Sequence, residues 1–211
     1  MVRLIWITPN AELQLGYIAR VSNPKNQDNP DVSKLLKYCI DHGHWSVFEM
    51  ANMCIEINTT RSIAAQILRH RSFTFQEFSQ RYADAISNLG SPKVPHLRRQ
   101  DQKNRQNSVD DLSTDQTSIF YRRISQHFAE AEDLYREMVS AGVAKECARD
   151  VLPLSSPSRL YMNGTVRSWI HYCQLRSGNG TQREHQAIAL EVMEVMKEHL
   201  PEVAKALGWS V

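Results

Sequence analysis

Apolar positions along the chain change period several times, and each change marks an element. Residues 3–7 (RLIWI) form a β-branched and aromatic run closed by Thr8-Pro9, which predicts a strand. Helical spacing follows over Glu12–Val21 and again over Val32–Asp41. The second helix is opened by Pro30-Asp31, carries Leu35, Leu36, Cys39 and Ile40 on one stripe, and is followed by Gly43. From Met50 to Ile57 the period drops to two, with Met53, Ile55 and Ile57 on one side of a predicted strand. Thr60 is the expected N-cap of a helix through Ser62–Leu68 that runs into Arg69-His70-Arg71 and sets Gln66 and Arg69 on one face.

Between Asn88 and Asp111 the apolar content collapses, while Lys93, Arg98, Arg99, Lys103 and Arg105 gather with Pro and Asn. This predicts a long basic loop, and structureless loops of that length are more often functional than idle. Ser113-Thr114-Asp115-Gln116 has the capping-box pattern. Behind it Ile119, Ile124, Phe128, Ala131, Leu134, Tyr135 and Met138 predict a long amphipathic scaffold helix ending at Gly142. A helical turn over Lys145–Val151, a short candidate strand over Arg159–Asn163 and a helix over Val166–Leu175 come next. A second capping box, Thr181-Gln182-Arg183-Glu184, opens the final helix, which turns Ile188, Leu190, Val192, Met193 and Met196 to the core before Pro201 interrupts it. Few strands scattered among many helices favour a helix-rich α+β fold over a wound parallel sheet.

Composition narrows the function classes. With 211 residues, 42% of them apolar, the chain can bury a real core. Lys plus Arg total 25 against 23 Asp plus Glu, so the net charge of +2 excludes polyanion binding by bulk charge, and any anion site must be local. No run approaches the length of a membrane span and no secretory leader is evident, so the expected setting is cytoplasmic, with no membrane partner. Cys39, Cys54, Cys147 and Cys173 are dispersed within apolar patterns and read as reduced core thiols. His42, His44 and His70 with Cys39 lack a diagnostic metal spacing, so no metal is expected.

The densest polar cluster is residues 69–82 (RHRSFTFQEFSQRY), where three arginines, a histidine, a glutamate and serine hydroxyls stand beside flat side chains. Arginine forks bind phosphate bidentately, hydroxyls and free amides complete such a cradle, and flat side chains sandwich a ring, so the composition suits a nucleotide. The alternative is a solvated helix end followed by a half-buried strand with ordinary alternation of Phe73, Phe75 and Phe78. Arg69-His70-Arg71, seven residues and then Ser79 resembles the signature of the flavin-dependent thymidylate synthases (ThyX family). The resemblance extends in order through Ala19–Ser22, His42–Glu49, Glu77–Tyr82, Ala148–Pro153 and Arg167–Arg176.

That resemblance implies a single catalytic domain over residues 1–211, around a small, mostly antiparallel sheet. It also implies methylation of deoxyuridine monophosphate (dUMP) to thymidylate, with 5,10-methylenetetrahydrofolate as carbon donor, FAD as cofactor and NADPH as reductant. Gln66, Ile67, Leu68, Arg69, Glu77, Phe78, Ser79, Gln80, Arg81, Arg149 and Arg176 match dUMP-binding positions, with Ser79, Arg81 and Arg149 around the phosphate. Arg176 matches the arginine at the uracil edge, where a permanent cation stabilises charge on the ring as carbon 5 becomes nucleophilic; it is the candidate catalytic residue. Ser22, Ser46, Arg69, His70, Arg71, Glu77, Thr165, Val166, Arg167 and His171 match FAD positions, and His44 matches the lining of the flavin and folate pocket. Thr165 and His171 stand where some members carry asparagine.

Spacing adds a geometric expectation. Arg167 and His171 share a helical face, while Arg176, nine residues beyond Arg167, points the other way at ~100° per residue. The family's solution is a homotetramer with sites shared between subunits, which is the expected assembly. The alternative class is a nucleic-acid-binding module using the basic loop 93–105 and the Arg-His-Arg segment. The near-neutral net charge and the lack of interleaved aromatics argue against nucleic acid as a partner.

Overall fold

The computed structural model describes residues 1–209. A four-stranded antiparallel sheet of order β1-β2-β6-β3 is its centre: β1 (Val2–Ile7), β2 (Asn52–Thr60), β3 (Thr74–Glu77) and β6 (Pro157–Thr165). The two central strands pair along their whole length, from Asn52 opposite Thr165 to Thr60 opposite Pro157. The short strand expected at 159–163 is thus the long central β6. Alternation sends Met53, Ile55, Ile57, Leu160 and Met162 to the buried face, and Glu56, Asn58, Arg159 and Tyr161 to the other. On that polar face Glu56 accepts from Arg3, Tyr161 and Asn58. Its burial opposes ionisation, but these hydrogen bonds outweigh it and hold the carboxyl below its ordinary range.

Helices α1 (Ala11–Ala19), α2 (Ser33–Asp41), α3 (Arg61–Ile67), α7 (Val166–Arg176), α8 (Arg183–His199) and α9 (Pro201–Ala206) cover the apolar face. Gly164 lets the Phe73 ring lie across β6, since a Cβ there would stand 2.4 Å from that ring. Phe73 in turn meets Trp169 edge to face at 4.7 Å, and the Trp169 indole N–H donates to the Met53 carbonyl at 2.9 Å. A smaller core of Ala85, Ile86, Tyr135, Ala148 and Leu152 ties α4 (Ala85–Leu89), the long α5 (Thr114–Ser140) and α6 (Lys145–Ala148) together around the tight turn Arg149–Val151.

Several local expectations need correcting. The 88–111 segment is not structureless: β4 (Arg99–Gln100) and β5 (Ser108–Val109) pair, and the Asp101 carboxylate closes their turn on the amides of Lys103 and Asn104. Two of its cations are committed, Arg98 to Glu184 at 2.7 Å and Arg99 to Asp111 at 2.5 Å. The Ser113 capping box forms in full, but the one at Thr181 does not: Gln182 is the N-cap, its side chain drawn to Gln66 and Glu184. Thr60 precedes α3 in extended geometry, yet its hydroxyl contacts Ser62, and the first amides of α3 donate to the carbonyls of Ser156 and Leu154 instead. Only Ala131 and Tyr135 of α5 are fully buried, while Ile119, Phe120 and Leu134 are exposed. Cys147 is exposed, unlike the other three thiols.

Candidate active site

Residues 66–81 leave α3, cross the end of the sheet as β3 and turn back beside α6, so one segment supplies side chains to three neighbouring places. At the α3 end Gln66 and His70 meet α7 and α8. Arg176, the last residue of α7, donates from Nε to His70 Nε2 at 3.0 Å, which fixes the His70 proton on Nδ1. Burial first, then the charges of Arg176 and His171, pushes the His70 pKa down to about 4, so the ring is neutral. Among the described residues no carboxylate pairs with Arg176, nor with Arg61, Arg69 or Arg71. A half-buried guanidinium beside neutral imidazoles keeps its full field for an incoming anion.

At the β3 end a groove of about 240 Å³ is lined by Arg61, Glu77, Phe78, Ser79, Gln80, Arg149 and Ser158. Ser158 donates to Glu77 Oε1 at 2.6 Å. Gln80 is only 5% exposed, yet among the described residues neither its Nε2 nor its Oε1 has a hydrogen-bond partner, and the buried Nε atom of Arg149 has none either. The Asp150 carboxylate approaches Arg149 Nε no closer than 3.8 Å. Buried polar atoms without partners are rare and costly, so this concentration marks a place a polar ligand completes. Arg81 stands outside the lining, on the surface, paired to Glu146 at 3.0 Å.

A third groove, of about 460 Å³, is lined by Trp45, Glu49, Ser72, Arg167, Ser168, Ile170, His171 and Gln174. Arg167 pairs with Glu49, and Ser168 donates to the Ser72 carbonyl at 3.2 Å. Thr165 caps α7, its hydroxyl accepting from the Ser168 amide at 3.2 Å. An indole, an apolar wall and polar ends suit a flat ring with a hydrogen-bonding edge, and the exposed, carboxylate-free Arg69 and Arg71 next along the chain suit a diphosphate. Ser46 lies exposed on the Trp45–Glu49 turn, and His44, which precedes it, is grouped with Tyr38 and His42. Ser22 lines a separate depression with Arg20 and Lys34. Ile67 and Val166 are wholly buried in the core and offer a ligand only backbone, whereas Leu68 is 38% exposed. Within one chain Arg167 and His171 share a groove that Arg176 does not line, as the helical arithmetic expects.

The family model described as "Thymidylate synthase complementing protein" matches residues 3–202. A "Probable flavin-dependent thymidylate synthase" of Paramecium bursaria Chlorella virus 1 is 51% identical over 200 residues, covering 94% of this chain and 91% of its own length. A flavin-dependent thymidylate synthase of Synechocystis sp. is 51% identical over 195 residues, covering 92% and 88%. The chain belongs to the flavin-dependent thymidylate synthases. Its fold is similar to that of PolB, a UMP/dUMP methylase from Streptomyces cacaoi solved with 5-Br dUMP, at a TM-score of 0.84 and 24% identity, covering 99% of this chain and 94% of that one.

For a flavin-dependent thymidylate synthase, the departure at position 165 has a local explanation, because threonine and asparagine are both good N-cap residues. The motif missed Arg61, Ser158, Tyr172, Gln182 and His185, all of which touch the site. One signal for His185 was legible: it falls on the same stripe of α8 as Ile188, Ala189, Val192 and Met196, where an imidazole is buried and must be hydrogen-bonded.

Proposed function

We propose that this protein, acting in the cytoplasm as one catalytic domain, methylates dUMP to thymidylate, taking the carbon from 5,10-methylenetetrahydrofolate and using FAD with NADPH as reductant. FAD, when bound and reduced, supplies the hydride that completes the methyl group. The residues of the chain bind, orient and stabilise charge. Arg149 and Ser79, with the unpartnered Gln80 carboxamide, receive the nucleotide phosphate, and Arg176 offers its guanidinium to the uracil as carbon 5 becomes nucleophilic. Trp45, Arg167 and His171 hold the flavin ring, and Arg69 and Arg71 its diphosphate. The observation that carries the reading is the cation-lined groove in which the buried Gln80 carboxamide and the Arg149 Nε have no hydrogen-bond partner among the described residues.

The experiment is release of tritium from carbon 5 of labelled dUMP by protein given FAD, NADPH and methylenetetrahydrofolate, against the same mixture stripped of FAD. Release only with FAD supports the proposal. No release from a folded, flavin-loaded protein refutes it, and salt-sensitive oligonucleotide binding by a colourless protein favours the nucleic-acid alternative.

The assembly belongs to the same proposal: a homotetramer whose sites draw on more than one subunit. Support comes from the exposed Ile119, Phe120 and Leu134 along α5, an apolar stripe with no partner among the described residues, and from the separation of Arg176 from the Arg167 groove. Light scattering is expected to give four times the chain mass, and Leu134→Glu to lower it; a wild-type monomer with full turnover contradicts shared sites.

A further inference from the structure

His185 is fully buried at the start of α8, and both of its ring nitrogens are engaged: Nε2 lies 3.1 Å from the Tyr172 hydroxyl and Nδ1 lies 3.3 Å from Gln66 Oε1. An amide oxygen only accepts, so Nδ1 carries the proton. A neutral ring then leaves Nε2 as acceptor, and the Tyr172 hydroxyl donates to it. Burial, assisted by the charge of Arg176 and the neighbouring His70, keeps the ring neutral by pushing its pKa down to about 4. Beyond Gln66 the order continues: Gln66 Nε2 donates to Gln182 Oε1 at 2.7 Å, Gln182 Nε2 donates to Glu184 Oε2 at 2.9 Å, and Glu184 pairs with Arg98 at 2.7 Å. Hydrogen bonds donated in one direction thus run from Tyr172 in the core, through His185, Gln66 and Gln182, to the Glu184 carboxylate, which Arg98 meets from the other side as a second donor.

We propose that His185 is a positioning residue whose Nδ1–H fixes the Gln66 carboxamide with its oxygen to the core and its amino group to the open side, so that Gln66 meets dUMP only as a donor to an acceptor oxygen. This rests on the reading of Gln66 as a nucleotide contact. A carboxamide free to rotate presents either end. One held from both sides loses no orientational freedom on binding and rejects a donor at the same place. The Gln66 amino group uses one N–H on Gln182, and its second N–H has no partner among the described residues.

The test is dUMP affinity by calorimetry, with KM and kcat, on flavin-loaded wild type, His185→Asn, His185→Gln, Gln66→Ala and the His185→Gln/Gln66→Ala pair, all checked by thermal melting. Asparagine keeps an N–H near the Nδ1 position; glutamine places its amide near Nε2. The expected result is affinity roughly tenfold weaker in His185→Gln, carried by KM more than kcat, near-wild-type binding in His185→Asn, and no added loss in the pair. Tyr172→Phe, which leaves the ring in place but frees its tautomer, is expected to weaken dUMP about threefold by the same principle, and keeps the test decisive if both His185 variants unfold. Equal losses in the two His185 variants, a full His185→Gln loss persisting beside Gln66→Ala, or an unaffected Tyr172→Phe overturns the positioning role. Wild-type affinity in Gln66→Ala overturns the underlying reading of Gln66, and the positioning role with it.

Discussion

The two ends of the 66–81 segment are finished to different degrees. At the α3 end two hydrogen-bonded groups, Arg176 with His70 and Tyr172 with His185 and Gln66, lie side by side through ring contacts of His70 with Tyr172 and His185, and the donor and acceptor in each bond are assigned. At the β3 end the buried Gln80 and the half-buried Arg149 hold polar atoms that no hydrogen bond among the described residues satisfies. The first arrangement is preorganised: its orientation is set before a ligand arrives, which suits groups that must stabilise charge during a reaction. The second stores the desolvation cost of its amide and guanidinium until a ligand relieves it, which suits affinity for a dianion.

Mutations should separate the two ends. The largest effect is expected of Arg176→Ala, which should retain FAD, read by its absorbance, yet lose about a hundredfold to a thousandfold in turnover, the usual cost of one preorganised donor to developing charge. Near-wild-type turnover would remove Arg176 from catalysis. At the other end Arg149→Ala is expected to weaken dUMP roughly fiftyfold with a smaller change in turnover, the range for a charge-assisted bond. Arg81→Ala, already paired with Glu146 at the surface, should cost less than about fivefold, since exposed pairs contribute little. Equal losses in the two variants would mean that Arg81 leaves Glu146 for the phosphate. Gln80→Met should raise the melting temperature of ligand-free protein by about 3 °C, because an unsatisfied buried amide is removed, while shrinking the further rise that dUMP brings.

The smallest expected effect concerns pH. His70 and His185 are held near 4 in the fold, against an ordinary value of 6.5, so between those values the unfolded chain binds more protons. Their contribution is full above pH 6.5 and is lost as pH falls toward 4. The urea midpoint should fall across that window, and less steeply in His185→Asn; identical slopes would show that His185 titrates normally.

Local periodicity made the longer helices, the first two strands and the Ser113 cap legible, because each depends on neighbours within one turn or one pleat, whereas the short α4 and α9 were not read. The charge-rich motif likewise pointed to the 69–82 segment, because arginines, hydroxyls and flat rings in one stretch write a nucleotide's chemistry in residue type. What could not be read was which polar group meets which. The Thr181 box failed because Gln182 is drawn to Gln66, more than a hundred residues away, and nothing in the neighbourhood of Arg81 announces its pairing with Glu146. The α5 stripe shows the same limit: amphipathicity says that Ile119 and Leu134 seek apolar contact, but not whether the contact lies within the chain.

Whether the Gln80–Arg149 groove receives the nucleotide phosphate is decided by comparing dUMP with its unphosphorylated nucleoside, deoxyuridine, in wild type and Arg149→Ala. Wild type should prefer dUMP by about two orders of magnitude, and the preference should fall to a few-fold in Arg149→Ala, while deoxyuridine binds both proteins alike. A preference for dUMP that survives undiminished in Arg149→Ala would contradict the account.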